Sequence, residues 1–166
     1  MSILVSSKTY MPPPEGLHQA ACVDVVDLGM VDSQFGRKHR VRVYFELDKQ
    51  TESGRSFIIS KTYTLSLHEK STLHKDLRSW RSRAFSPDEL KGFDLEKLVG
   101  VPCQLFVNHV ERDGTVYGNV TAIMKAEKGK VYQASGQYQR ARNYGTENQE
   151  VADFDDSIQQ EDTIPF

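Results

Sequence analysis

The sequence has few cysteines and no long hydrophobic run, and both features limit the classes of protein to which it can belong. Its 166 residues include two cysteines, Cys22 and Cys103, and neither belongs to a CxxC pair. We therefore expect no disulfide framework or zinc site, and we expect both thiols to be buried in strands. No stretch of about 18 apolar residues occurs, which argues against a membrane-spanning helix. The N-terminus also lacks a signal-peptide pattern, so a cytoplasmic protein is expected.

Catalytic signatures are missing as well. His68 and Glu69 begin a string similar to HExxH, but the second histidine position holds Thr72, so the zinc-protease pattern is incomplete. No P-loop and no GxSxG motif occurs, and the other four histidines lack metal-ligand spacing. The sequence therefore predicts a protein that is not an enzyme and needs no cofactor or metal.

Charge is distributed unevenly along the chain. The net charge is -2, yet residues 151–166 alone carry five acidic residues and no basic one. Residues 127–150 sum to +1 and residues 1–126 to +2. A weakly basic body joined to an acidic segment indicates two surfaces with different partners.

Composition and periodicity divide the chain into four regions. Residues 1–15 end in three prolines and are predicted to form an extended N-terminal arm. Residues 16–126 carry the regular apolar patterns of a folded domain. Residues 127–150 are rich in Gly, Gln, Asn, Ser and Tyr, which is typical of a flexible linker. Residues 151–166 form the acidic segment, which we expect to be disordered and to bind proteins.

The folded domain has the patterns of five strands and one helix. Residues 38–47 alternate most clearly, with apolar residues at odd positions from Val41 to Leu47. A helix begins after Ser71, a suitable N-cap, and buries Trp80 on its apolar stripe. The other strands are predicted at residues 17–31, 57–67, 102–110 and 116–124, with a helical turn at 94–99. Three strands, a helix and two strands predict an all-β fold with one helix, a five-stranded OB-type barrel.

The polar face of the second predicted strand carries the residues expected to bind nucleic acid. Single-stranded nucleic acid needs cations for its phosphates and flat rings for its unstacked bases. Arg40, Arg42 and Tyr44 share this face, and Arg37 and Lys38 come just before them. The strand therefore offers both kinds of group.

Other candidates lie on the remaining strands. Phe106 and Tyr117 fall among polar neighbours in the fourth and fifth strands. An aromatic ring exposed on a polar face indicates a candidate binding surface. Lys61 and Tyr63 are reserve candidates, because their direction is ambiguous unless a bulge intervenes. Aromatic residues are also ordinary strand formers, so packing at a barrel end is the alternative. The predicted site for single-stranded DNA comprises Arg37, Lys38, Arg40, Arg42, Tyr44, Lys61, Tyr63, Phe106 and Tyr117.

The acidic segment, VADFDDSIQQEDTIPF, finishes in apolar residues. A partner could accept Phe166 in a pocket while basic side chains around the pocket steer the acidic ones. A generic disordered terminus would explain the charges but not the apolar residues. The residues predicted to bind partner proteins are Asp162, Ile164, Pro165 and Phe166.

Two sets of residues resemble known families. The acidic segment resembles the tip of bacterial single-stranded DNA-binding proteins, in which aspartates precede Ile, Pro and Phe, although SIQQ divides the acidic run here. The strings PEGLHQAACVDVVDLG, YTLSLHEKSTLHKDLRSW and FDLEKLVGVPCQLFVNHV resemble phage-encoded single-stranded DNA-binding proteins over most of residues 12–126. The resemblance implies an OB fold, a role in phage DNA replication, recombination or repair in the bacterial host cytoplasm, and recruitment of replication or recombination proteins.

The sequence thus predicts a protein that binds single-stranded DNA without sequence preference. Two alternatives stay open, because a fold does not establish a function. One is an adaptor whose OB domain binds another protein, and the other is an RNA-binding OB module. No membrane partner is expected, and exposed strand edges permit a homo-oligomer without requiring one.

Overall fold

The structure is a computed structural model that describes residues 11–34 and 36–140. The five strands are β1 (Gly16–Ser33), β2 (Gly36–Gln50), β3 (Ser56–Thr64), β4 (Pro102–Arg112) and β5 (Thr115–Lys125). Between β3 and β4 lie helix α1 (Thr72–Arg81), the short helix α2 (Pro87–Lys91) and a 3-10 helix (Leu95–Leu98). The predicted order of strands and the predicted main helix are confirmed. The tail predicted at residues 151–166, with the partner-binding residues 162 and 164–166, lies outside the described residues.

The five strands form one antiparallel sheet that is not closed. Their order is β3-β2-β1-β4-β5, so β1 is central and β3 and β5 are the edges. The predicted all-β fold with five strands is confirmed, and within the described part of the chain no ladder joins β3 to β5 to close the sheet. The two edge strands nevertheless approach each other, since a Cβ added to Gly118 of β5 would lie 3.3 Å from Cδ1 of Ile59 in β3. The fold is a partly open version of the OB arrangement.

Helix α1 bridges the gap between the two edge strands. Its Asp76 carboxylate accepts hydrogen bonds from Lys61 Nζ and the Tyr63 hydroxyl of β3, both at 2.7 Å. On the other side the Ser79 hydroxyl donates to the carbonyl oxygen of Ile123 in β5 at 2.6 Å. These bonds join the two edge strands through the helix, whereas no ladder joins them directly within the described residues.

The core lies between the inner face of the sheet and α1. The odd-numbered residues of β2 from Val41 to Leu47 are buried there, as their alternation predicts. Trp80 is also buried, with its ring centroid 5.6 Å from that of Phe45 and its indole N–H donating to the carbonyl oxygen of Pro102 at 2.9 Å. Its predicted place in the core is confirmed. None of the helices in the described ranges is long and apolar enough to cross a membrane.

The two cysteines are free and fully buried, as expected. Burial raises the pKa of the Cys22 thiol to about 12, against a smaller lowering by its hydrogen bond to the backbone of Asp24. Burial likewise raises the pKa of the Cys103 thiol well above its ordinary value. Because the thiolate is the reactive form, both groups are inert at neutral pH and serve as small core residues.

Residues 11–15 lie against the β4–β5 hairpin. Pro13 is buried, and a Cβ on Gly118 would lie 2.9 Å from its Cδ, so the close approach requires glycine at that position. The backbone N–H of His109 donates to the Glu15 carboxylate at 2.9 Å. The ring nitrogen Nε2 of His109 is hydrogen-bonded to the Pro13 carbonyl oxygen at 2.6 Å. The described end of the predicted arm therefore packs on the sheet before β1 begins at Gly16.

Candidate nucleic-acid interface

The outer face of β2 presents a row of cationic and aromatic side chains. Arg40, Arg42 and Tyr44 are half-buried and alternate with the buried residues of the inner face. Opposite Arg42 in β3 is Thr62, whose hydroxyl accepts a hydrogen bond from Arg42 Nε at 3.0 Å. This bond orients one guanidinium, and the three side chains share the outer face as the alternation predicts. We call them the outer row.

Two further cations lie near the β1–β2 hairpin, Lys38 on the outward parity of Arg40 and Arg37 on the opposite parity. Arg37 and Lys38 are exposed at the start of β2. Arg37 Nε lies 3.1 Å from Asp32 Oδ1, but both side chains are largely exposed to solvent. A surface ion pair of this kind contributes little free energy, so Arg37 can exchange its partner for a phosphate at small cost.

Lys61 and Tyr63 do not join the outer row. They pair across the ladder with Val43 and Val41, so their side chains lie on the core side of the sheet. The ring of Tyr63 is only 3% exposed, and burial together with Asp76 raises the pKa of its hydroxyl well above the ordinary value. The β2–β3 ladder shifts register only between Glu46 and Gln50. No bulge therefore turns the two reserve candidates outward.

Phe106 and Tyr117 point outward, but they lie in another part of the sheet. Each is 42% exposed. Phe106 is opposite Leu17 of β1, whereas Tyr44 is opposite Asp24 on the other side of that strand. The structure therefore brings the outer row of β2 together and leaves these two rings on the half of the sheet formed by β4 and β5.

A segment of the predicted linker lies over the far end of the outer row. We call residues 132–140 the strap. The Tyr132 hydroxyl and the backbone N–H of Ser135 both donate to Oε1 of Glu46, each at 2.7 Å. The Gln137 side chain accepts from the backbone N–H of Ser56 at 3.1 Å. These bonds hold the first part of the strap on β2 and β3.

The second part of the strap lies on β1 and the 3-10 helix. The Tyr138 hydroxyl and Arg140 Nε donate to the two oxygens of Asp24, each at 2.9 Å. The two terminal nitrogens of Arg140 donate to Glu96 at 3.0 and 2.6 Å. The ring of Tyr138 lies beside that of Tyr44, with centroids 5.9 Å apart and planes inclined by 33°.

The strap explains two buried carboxylates on the outer face of the sheet. Asp24 is 1% exposed and Glu46 is fully buried. Burying a carboxylate is costly unless hydrogen bonds or a cation compensate it. The strap supplies both to Asp24, and to Glu46 it supplies two hydrogen bonds at Oε1, while Oε2 has no hydrogen-bond partner among the described residues. Partial burial acts to lower the pKa of Arg140, but its bonds to Glu96 and Asp24 raise that pKa above the ordinary value. The guanidinium therefore stays charged.

The sequence reasoning missed Tyr138, Arg140 and the carboxylates that hold them. One signal was present, because Asp24 and Glu46 stand at outward positions of strands among cations and tyrosine. The apolar residues of the strap do not recur at the spacing of a strand or a helix, so the sequence pattern does not predict that it contacts the sheet.

Comparison with known proteins adds no identification. No protein-family model matches the sequence, and a search of the curated proteins finds no match. Within residues 11–34 and 36–140, no group of three His, Cys, Asp or Glu side chains could hold a metal ion. The resemblance to single-stranded DNA-binding proteins stays a prediction.

Proposed function

We propose that this chain binds single-stranded DNA without sequence preference on the outer face of β2. The observation that carries the proposal is the outer row, in which Arg40, Arg42 and Tyr44 face outward from one strand. Exposed Lys38 continues it toward the hairpin, and exposed Arg37 is its neighbour on the opposite parity of the strand. Cations beside a flat ring are the two groups that an unpaired strand requires.

The binding mechanism is electrostatic contact combined with stacking. The guanidinium groups neutralise phosphates and release the counterions that surround the nucleic acid, so affinity falls as salt rises. A base stacks on the Tyr44 ring, and because every base has a π-face this contact is tolerant of sequence. The residues bind and orient a strand without cutting it, so the proposed activity is binding and not catalysis.

The wider role is proposed on the resemblance of the sequence. The protein would coat single-stranded DNA during replication, recombination or repair of phage DNA in the cytoplasm of the bacterial host. Residues 162 and 164–166 would recruit replication or recombination proteins through their acidic and apolar side chains.

A protein-binding adaptor is the second candidate function, and one observation favours it. Leu17 and Phe106 form an exposed apolar pair across β1 and β4, and the neighbours of Phe106 on that face are the uncharged Gln104 and Asn108. An apolar pair among uncharged residues suits a protein surface better than a phosphate backbone.

Two double variants with equal changes in net charge test the outer row. Arg40→Ala with Arg42→Ala removes two charges from the outer row, while Lys75→Ala with Arg78→Ala removes two exposed charges from α1. Titration of oligo-dT over a range of salt should show that the first variant lowers the salt dependence by about 1.4 in log affinity per decade of salt. The α1 variant should keep the wild-type slope, and equal slopes for wild type and the outer-row variant would contradict the proposal.

A comparison of ligands distinguishes the candidate functions. Wild-type protein should bind an unpaired DNA strand more tightly than the same sequence as a duplex in a mobility-shift assay. Tighter binding of single-stranded RNA would favour the RNA-binding alternative. Absence of any preference for unpaired strands would overturn the proposal and leave the adaptor function.

A further inference from the structure

We infer that the strap forms one wall of the nucleic-acid interface, with Tyr138 as a second stacking residue and Arg140 as the positioning residue that holds it. The inference rests on the proposed function, because it concerns the same outer face of the sheet. It extends the interface beyond β2 to residues 132–140.

The placement of the Tyr138 ring carries the inference. The ring lies 5.9 Å from that of Tyr44 and is inclined to it by only 33°, and both rings are half-exposed. The hydroxyl of Tyr138 is fixed on Asp24 at 2.9 Å. The ring is thus held at one end while its body lies beside Tyr44. Two adjacent rings offer more flat surface than one, and a rigid aromatic side chain binds with little loss of conformational entropy.

The charges under the strap explain why it stays in place when a polyanion binds. Asp24 is directly opposite Tyr44 in the β1–β2 ladder, and Glu46 is the next outward residue of β2. Without the strap, both carboxylates would face the phosphates and repel them. The hydroxyl, amide and guanidinium donors of the strap bind these oxygens instead. DNA that displaced the strap would uncover two like charges, so the strap is part of the interface and not a competitor for it.

Arg140 is assigned to positioning because its nitrogens already have protein partners. Nε donates to Asp24, and the two terminal nitrogens donate to Glu96. The side chain therefore ties the end of the strap to β1 and to the 3-10 helix at once. This arrangement fixes the residue two positions earlier, Tyr138, against Tyr44.

Two substitutions at Tyr138 separate the ring from the hydroxyl. Tyr138→Leu removes the ring and should weaken oligo-dT binding by about 5- to 150-fold, the range for one stacked base. Tyr138→Phe keeps the ring and loses the hydroxyl bond to Asp24, so its affinity should stay within about threefold of wild type. Circular dichroism at the titration temperature checks that both variants are folded.

Arg140→Gln tests the positioning role by its salt dependence. The variant should bind more weakly by a similar factor at every salt concentration, because Arg140 releases no counterion. A slope lowered by about 0.7 would show that Arg140 contacts a phosphate itself, and that result would overturn its positioning role.

The outcomes separate this inference from the proposed function. If wild type binds oligo-dT and Tyr138→Leu binds equally well, the strap is not part of the interface although the proposed function stands. Tighter binding by Tyr138→Leu would mean that the strap competes with DNA, which also overturns the inference. If wild type shows no preference for unpaired strands, the proposed function itself fails.

Discussion

Tyr44 and Tyr63 show how strongly the direction of a single side chain decides its role. They stand on neighbouring strands, yet Tyr44 lies on the outer face while Tyr63 is buried against α1. Sequence parity predicted the direction of Tyr44 because β2 alternates cleanly. It left Tyr63 ambiguous, because a bulge would have reversed its direction and bulges depend on the partner strand.

The contrast between these two tyrosines gives a prediction at the scale of one residue. Tyr63→Phe removes the hydroxyl that donates to Asp76 at 2.7 Å and should lower the free energy of unfolding by about 1 kcal/mol. It should leave affinity for oligo-dT unchanged, because the ring does not reach the outer face. Urea denaturation and fluorescence titration measure the two effects.

Tyr44→Leu is the matched comparison and should have the opposite profile. Its affinity for oligo-dT should fall by about 5- to 150-fold. Its free energy of unfolding should fall less than it would if a buried ring were removed. A loss of DNA affinity in Tyr63→Phe without unfolding would show that the inner face also contacts nucleic acid.

At the scale of elements, helix α2 depends on one ion pair. Arg81, whose side chain is fully buried, donates to the Glu89 carboxylate at 2.6 Å, and its guanidinium lies 4.5 Å from the ring centroid of Phe85. Glu89 also completes a capping box with Ser86. The hydrogen bond from Arg81, and then that from the Ser86 backbone, lower the pKa of Glu89 to about 2. A five-residue helix gains its stability from such contacts and not from its length.

The lowered pKa of Glu89 predicts how stability depends on pH. A carboxyl whose folded pKa lies below its ordinary value of 4.5 stabilises the fold above that pH, and the contribution is lost as the pH falls toward 2. Glu89→Gln should therefore be less stable than wild type near pH 7, and the difference should shrink between pH 4.5 and 2. Chemical denaturation at several pH values measures it.

Asp88→Asn is the control for this pH experiment. Asp88 belongs to the same helix, but its side chain is 97% exposed and lies 3.9 Å from Lys91. The variant should differ little from wild type at any pH. If wild type and Glu89→Gln differed in free energy of unfolding by the same amount from pH 7 to pH 2, the ion-pair explanation would be refuted.

Elements with a strong period could be predicted from the sequence, and elements defined by their contacts could not. β2, the helix capped by Ser71 and the hairpin at Asp113 and Gly114 carry local signals, and the structure has all three. The contacts of α1 with the two edge strands join distant parts of the chain, and no local pattern encodes them. The strap likewise depends on partners more than a hundred residues earlier in the chain.

At the scale of the whole molecule, the chain separates a basic face from an acidic segment. Deleting residues 161–166 should leave affinity for oligo-dT equal or slightly higher, because acidic residues compete with DNA for cations. Capture of a replication or recombination partner should be lost. Titration and pull-down with a purified candidate partner measure the two effects.

A second variant separates the charge of this segment from its apolar residues. Ile164→Ala with Phe166→Ala keeps every acidic residue, so its DNA affinity should equal that of wild type while partner capture is lost. Unchanged capture by this variant would show that the apolar residues are not the partner-binding group.

The hydrogen bond from Arg140 to Asp24 joins residues 116 positions apart, and this separation affects the order in which contacts form during protein synthesis. Contacts between such distant residues form late, because a long loop must close first. On a ribosome, β1 and β2 emerge well before residue 140, so a nascent chain carries the Asp24 and Glu46 carboxylates uncovered. If the outer row binds nucleic acid as proposed, these uncovered carboxylates should weaken binding of the nascent chain to polyanions such as ribosomal RNA until the strap, residues 132–140, has been synthesised.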